Sequence, residues 1–155
     1  FVAKPGCSEH ETGLAIDLAR AARNIDFIRP HLPYDGACGR FRALAAKYGF
    51  IQRYRAEKTA VTGIACEPWH FRYVGAPHAQ LIEQNGLCLE EYAAFLREMG
   101  PQQCRLAGGR AAQVLYVPCE NGHARLPGGC VQVSGDNAGG FIATVWQAGA
   151  RRCGA

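Results

Sequence analysis

His10 and Asp17 stand seven residues apart, and the chain changes character at Gly13 between them. Ser8-Glu9-His10-Glu11-Thr12 is polar, whereas Gly13-Leu14-Ala15-Ile16-Asp17-Leu18 reads as a buried strand entered through a glycine. In a regular strand an odd separation sends two side chains to opposite faces. His10 and Asp17 can act on one centre only if His10 sits outside the strand, on a loop that bends at Gly13. A second segment, Glu67-Pro68-Trp69-His70-Phe71-Arg72-Tyr73-Val74-Gly75, carries a similar constraint. Glu67 and His70 are three apart, which suits a helix face, but Pro68 and the aromatic and β-branched surroundings oppose a helix. An irregular or bent strand is required.

Together the two segments offer two imidazoles and two well-placed carboxylates. A catalytic zinc site takes three N/O ligands, an open position for water and a nearby base. Spacing permits such a site without demanding it. The helical H-E-x-x-H motif is absent, because position 14 is Leu14. Plainer readings compete. A lone His10 is usually a surface or capping residue, and Glu67 is a structural acid if it pairs with Arg72. Asp17 in an apolar strand is costly to bury unpaired, so a metal or a salt bridge must account for it. His31 and His78 lie in proline-flanked turn or helix-start contexts and read as ordinary surface residues. Cys119, His123 and Cys130 suggest a second, structural zinc, but a hairpin turn at Asn121-Gly122 explains that stretch better. Cys7, three residues before His10, reads as an unused thiol rather than a ligand.

Around these segments the chain predicts a helix from Cys38 to Tyr48, with Phe41, Leu44, Ala45 and Tyr48 on its apolar face and Gly49 as the stop. A short strand over Phe50 to Tyr54, a turn at Thr62-Gly63 and an extended run from Ile64 to Val74 follow. Helices over Pro77 to Gln84 and Leu89 to Met99 come next, the second with Leu89, Tyr92, Ala93 and Leu96 as its apolar face. Beyond Ala111, short apolar runs separated by Asn121-Gly122 and Ser134-Gly135-Asp136-Asn137 read as a β-meander ending in Phe141 to Trp146. The expected organisation is a core over residues 1–100 and a small β-rich appendage over 101–155.

Composition narrows the function class. A formal charge of +4, spread without a block of like charges, is too mild to argue for nucleic acid. No apolar run reaches membrane-spanning length. The eight cysteines include no C-x-x-C pair, so a disulfide framework and scattered small apolar thiols both remain open. The chain begins at Phe1 and its one methionine is Met99, which reads as a piece of a longer chain whose targeting segment lies elsewhere.

The pattern S-x-H-x-x-G-x-A-x-D over residues 8–17, followed by E-P-W-H over 67–70, resembles the D-alanyl-D-alanine carboxypeptidase and dipeptidase family. These are the VanY and VanXY type enzymes associated with vancomycin resistance, which share a fold with lysostaphin-like peptidases and the hedgehog signalling domain. The resemblance runs from Lys4-Pro5-Gly6 through Tyr48-Gly49-Phe50-Ile51, Arg53-Tyr54, Lys58 and Thr62-Gly63 to Gly75, and more weakly to Leu89-Glu90-Glu91-Tyr92. It implies zinc held by His10, Asp17 and His70, with Glu67 as general base and with Ser8 and Trp69 near the substrate. It also implies an arginine upstream of this chain that stabilises the oxyanion, and Phe41 stands where a tryptophan is expected.

The implied fold is α+β, a small mainly antiparallel sheet with helices on one side and a zinc cleft, plus the C-terminal β-meander. The implied partner is a peptidoglycan stem peptide or precursor ending in D-Ala-D-Ala, met at the bacterial cell envelope. Free D-Ala-D-Ala as the substrate of a dipeptidase, and a zinc-stabilised binding module without turnover, are the alternatives.

Overall fold

A computed structural model describes residues 6–147, which fold as two units, one running to Cys88 and the other starting at Leu89. The first unit is built on a three-stranded antiparallel sheet in the order β1-β3-β2, with β1 Ala15–Asp17, β2 Phe50–Tyr54 and β3 Glu67–Tyr73. Helices α1 Gly36–Ala45 and α3 Ala76–Gln84 contact β2, and the one-turn helix α2 Thr59–Thr62 ends at Gly63. Gly49, which follows α1 and its 3-10 extension, has φ +91°; a Cβ there would lie 2.7 Å from the Tyr73 ring. Only glycine allows the chain to reverse so tightly into β2.

Strand β3 is central, and it is bent. Gln52 pairs with Phe71 and Tyr54 pairs with Glu67. The single intervening residue on β2, Arg53, therefore faces three on β3: Pro68, Trp69 and His70. Pro68 has no N–H to give the ladder, and bulges are where a sheet accommodates proline. The bulge supplies the irregularity that the Glu67–His70 spacing requires.

Strand β1 corrects the expectation of a buried strand. It is a three-residue edge strand, and Leu14 and Ile16 are both more than 40% exposed. An apolar run specifies extended backbone but not how many neighbours cover it. Helix α1 is corrected too. Of the expected apolar face, Ala45 is buried while Phe41, Leu44 and Tyr48 are exposed. The face turned to the core is Cys38, Arg42 and Ala45, at the i, i+4, i+7 spacing of one helix side. Phe41 still meets the edge of Phe71, ring centroids 5.0 Å apart.

An arginine on that inward face is explained by what it binds. Arg42 donates to the carbonyl oxygens of Leu32 (2.8 Å), Pro33 (3.2 Å) and Pro68 (2.8 Å) and to Gln52 Oε1 (2.8 Å). Its guanidinium lies 4.1 Å from the Tyr34 ring centroid. It thereby ties the loop before α1 to the bulge in β3, beside the core of Leu32, Ala45 and Phe71. His78 differs from the surface residue expected. It lies on α3 among buried Pro77, Ala79, Leu81 and Ile82, and desolvation pushes its imidazole down to about 4.

The second unit begins with α4 Leu89–Met99, whose Tyr92 and Leu96 are buried as its periodicity predicts. It packs on β5 of a four-stranded antiparallel sheet. The strands are β4 Gln102–Arg105, β5 Ala111–Pro118, β6 Cys130–Gly135 and β7 Gly140–Trp146, in the order β4-β5-β7-β6. The last strand thus lies between β5 and β6, and the sheet is not a sequential meander. β7 buries Gly140, Ala143 and Thr144 and takes the interior place, whereas β6, mostly exposed, takes the edge. The contacts also group α4 with this sheet, so the unit begins before residue 101.

The Asn121-Gly122 turn is present, with φ of +52° and +77° and a Glu120–His123 bridge, and Cys119 is a free thiol. Cys153 lies outside the described residues. No helix among the described residues is long and apolar enough to cross a membrane.

Replacing Arg42 by methionine keeps the apolar stem and removes the donors to three carbonyls. An intramolecular hydrogen bond contributes about 0.5–1.5 kcal/mol net, so losing these three is expected to lower the unfolding free energy by about 1.5–4.5 kcal/mol. Urea denaturation of Arg42→Met checks this; a change below about 0.5 kcal/mol contradicts the clamp.

Candidate metal centre

The centre begins with one turn of 3-10 helix, Glu9–Thr12. Ser8 caps it by accepting from the His10 N–H at 3.3 Å, and Gly13 closes it with φ +69°. The chain leaves that turn directly into β1. His10 therefore lies outside the strand, as its spacing from Asp17 requires. On β1, Asp17 pairs with His70 of β3, and the Leu18 N–H donates to the Trp69 carbonyl at 3.0 Å. Antiparallel partners place their side chains on the same face, so this register sets the carboxylate and the imidazole side by side.

His70 Nδ1 is 2.9 Å from Asp17 Oδ1, and His10 Nε2 is 3.4 Å from Asp17 Oδ2. The two imidazoles meet edge to face, centroids 4.8 Å apart. One potential ligand atom from each of His10, Asp17 and His70 falls within 4.8 Å of the others. Two imidazole nitrogens and a carboxylate oxygen are a donor set that suits a borderline-soft divalent ion. Asp17 keeps about a third of its side chain exposed, so it is not the deeply buried acid expected from its strand. It opens on a cleft of about 540 Å³.

Glu67 enters the same cleft from the other side of the bulge, with Oε2 3.9 Å from His70 Nδ1. Burial raises its pKa, the nearby Asp17 charge adds to that, and the two histidines only partly oppose it. The cleft is also lined by Ser8, Trp69, Tyr54, Phe27 and Ile64. Trp69 does double duty, packing on the Leu32–Phe71 core as well. All six residues singled out from the sequence thus reach one cleft. Arg72 is not the partner of Glu67; it reaches Thr12 at 3.3 Å and Glu9 at 3.9 Å.

Glu9 is the participant that sequence reasoning missed. Its Oε2 is 3.4 Å from His70 Nε2 and its Oε1 is 2.8 Å from Arg53 Nε. Burial alone would raise its carboxyl. The hydrogen bonds to His70 and Arg53, with the charges of Arg53 and Arg72, outweigh that and hold it at about 2. Burial works to lower the pKa of His70, but Glu9, Asp17 and Glu67 together raise it. The only signal in the sequence is that Glu9 adjoins His10. Its partners are 44 and 61 residues away, and only the folded sheet brings them together.

Residues 1–76 match the family model described as VanY: D-alanyl-D-alanine carboxypeptidase. The chain is 48% identical over 99 residues to the bifunctional D-Ala-D-Ala dipeptidase and D-Ala-D-Ala carboxypeptidase VanXYC of Enterococcus gallinarum, covering 63% of this chain and 52% of that protein. It is 34% identical over 142 residues to a D-alanyl-D-alanine carboxypeptidase of Enterococcus faecium, covering 91% of this chain and 45% of that protein. Among solved structures, the vancomycin resistance D,D-dipeptidase VanXYg, in complex with a D-Ala-D-Ala phosphinate analog, superposes with a TM-score of 0.84 at 45% identity. That match covers 94% of this chain and 61% of the other, so it runs through both units. The chain spans about half the length of the curated relatives it matches. The paired motifs on one cleft and these likenesses point the same way: the chain is similar to the D-alanyl-D-alanine carboxypeptidase and dipeptidase family in sequence and in fold.

Proposed function

We propose that this protein is a zinc-dependent D,D-peptidase that hydrolyses the bond between the two D-alanines of peptidoglycan stem peptides or precursors. The observation that carries the reading is the convergence of His10, Asp17 and His70 within 4.8 Å, with Glu67 beside them and not among them. Zinc held by these three side chains would polarise the scissile carbonyl and lower the pKa of a bound water from about 15.7 toward about 7.

The chain's own groups supply the rest. Asp17 brings one negative charge between two neutral imidazoles, so the donor set leaves a divalent ion with net positive charge. Glu67 lies close enough to take the proton of the attacking water and return it to the leaving amine. Phe27, Ile64 and Trp69 offer apolar surface for small alanyl methyl groups, and the polar floor formed by the metal ligands faces the peptide. Ser8, at the rim beside His10, is placed to meet the substrate backbone as well as to cap the turn.

Cleavage of free D-Ala-D-Ala is the second reading. It is favoured by the likeness to VanXYC, which is described with both activities, and to VanXYg over nearly the whole chain. Incubation with a pentapeptide precursor and with the free dipeptide, each followed by release of D-alanine, separates the two. A zinc-binding module without turnover releases it from neither, but such a module has no need of Glu67. A stem-peptide substrate favours the bacterial cell envelope over the cytoplasm as the place of action.

The chain should bind one zinc through His10, Asp17 and His70. Metal analysis of His70→Ala should show that stoichiometric zinc is lost, and full occupancy in the variant would remove His70 from the ligand set. Glu67→Gln should retain zinc yet lose turnover by about 10²–10⁴, the usual worth of general-base catalysis. Near-normal D-alanine release by Glu67→Gln would show that the base is another group.

A further inference from the structure

His70 presents its two ring nitrogens to different partners. Nδ1 faces Asp17 at 2.9 Å and Glu67 at 3.9 Å, inside the cleft. Nε2 faces Glu9 at 3.4 Å, on the opposite edge of the ring. A neutral imidazole carries one N–H and one lone pair, so the two nitrogens cannot serve as metal ligands interchangeably. The ring is also confined: His70 is buried, and the Tyr54 ring lies against it at 5.2 Å, tilted by 32°.

The geometry points to Glu9 as a positioning residue, which with Arg53 holds the proton of His70 on Nε2 and so presents the Nδ1 lone pair to the metal. The inference rests on the zinc reading above. Glu9 is itself fixed. Arg53, buried on β2, donates from Nε to Oε1 at 2.8 Å, and Arg72 stands 3.9 Å from Oε2. Arg53 in turn lies over the Tyr54 ring, 4.8 Å from its centroid. The carboxylate is thus anchored by one oxygen and offers the other to His70.

Sequence order makes this economical. One short turn supplies both His10, in the ligand cluster, and Glu9, beside the opposite ligand, because consecutive residues of a tight turn point in different directions. Glu11 in the same turn faces elsewhere and accepts from the Gly6 N–H. A carboxylate hydrogen-bonded to the outer nitrogen of a ligating histidine fixes the tautomer and ring orientation, and losing it typically lowers metal affinity about 10–100-fold. A plain structural ion pair between Glu9 and Arg53 would instead leave the tautomer and the affinity indifferent to Glu9.

Two measurements separate these. Long-range proton–nitrogen NMR of the zinc-loaded chain should show His70 protonated at Nε2 and ligating through Nδ1. Chelator competition should give Glu9→Met, which lacks the acceptor, a zinc affinity about 10–100-fold weaker than the unaltered chain. Glu9→Gln, which keeps an acceptor oxygen, should recover part of that loss. Ligation of zinc through Nε2, or a folded Glu9→Met with affinity within about twofold of the unaltered chain, overturns the role of Glu9 and leaves the zinc site standing. Absence of zinc binding by the unaltered chain overturns both. Should Glu9→Met fail to fold, Glu9→Gln decides: a zinc affinity below that of the unaltered chain supports the role of Glu9, and an unchanged affinity overturns it.

Discussion

Everything at the candidate metal centre depends on the pairing of a three-residue edge strand with a bent central one. β1 brings Asp17 opposite His70, and its register is held by the Leu18 N–H on the Trp69 carbonyl. A slip of one residue would turn Asp17 to the other face and dissolve the cluster, because side chains alternate along a strand. A strand so short gains little from its own ladder. The bulge in β3 does the complementary work, bringing Glu67 to the cleft although it is an odd number of residues from His70.

Bent strands leave ladder groups without their usual partners, and the surrounding residues answer this one by one. The Pro68 carbonyl finds Arg42, and the Trp69 carbonyl finds Leu18. Arg53, the single β2 residue facing the bulge, turns its guanidinium to Glu9. The same pair of segments thus carries the proposed ligands, the proposed base and the charges that hold them. Three carboxylates, Glu9, Asp17 and Glu67, sit around His70, which is tolerable because Arg53 and Arg72 neutralise the first and a metal would neutralise the second.

Much of this was legible in the sequence because two spacings carried strict geometric consequences. The seven residues from His10 to Asp17 demanded a bend at Gly13, and the structure has a positive-φ glycine there. The three residues from Glu67 to His70, with Pro68 between them, demanded an irregular strand. Helix periodicity placed α4 and its buried Tyr92 and Leu96 well. What was not legible depended on partners distant in sequence. Apolar spacing turned Phe41 and Leu44 of α1 toward the core, whereas both are exposed, because Arg42 reads as a surface residue until its three carbonyl acceptors are in view. Glu9 was hidden for the same reason. Strand order in the second sheet was also beyond local pattern, since an apolar run such as β7 does not say which strands flank it.

On the function proposed above, the folded sheet gathers two histidines and one aspartate, and no thiol, around a single zinc. Free Cys7 lines the same cleft and is a competing ligand for the ion. X-ray absorption spectroscopy of the zinc-loaded protein tests it directly. Four ligand atoms, nitrogen and oxygen only, are expected at about 2.0–2.2 Å, with the signature of two imidazoles. A sulfur scatterer at about 2.3 Å, or coordination without imidazole, would overturn this ligand set.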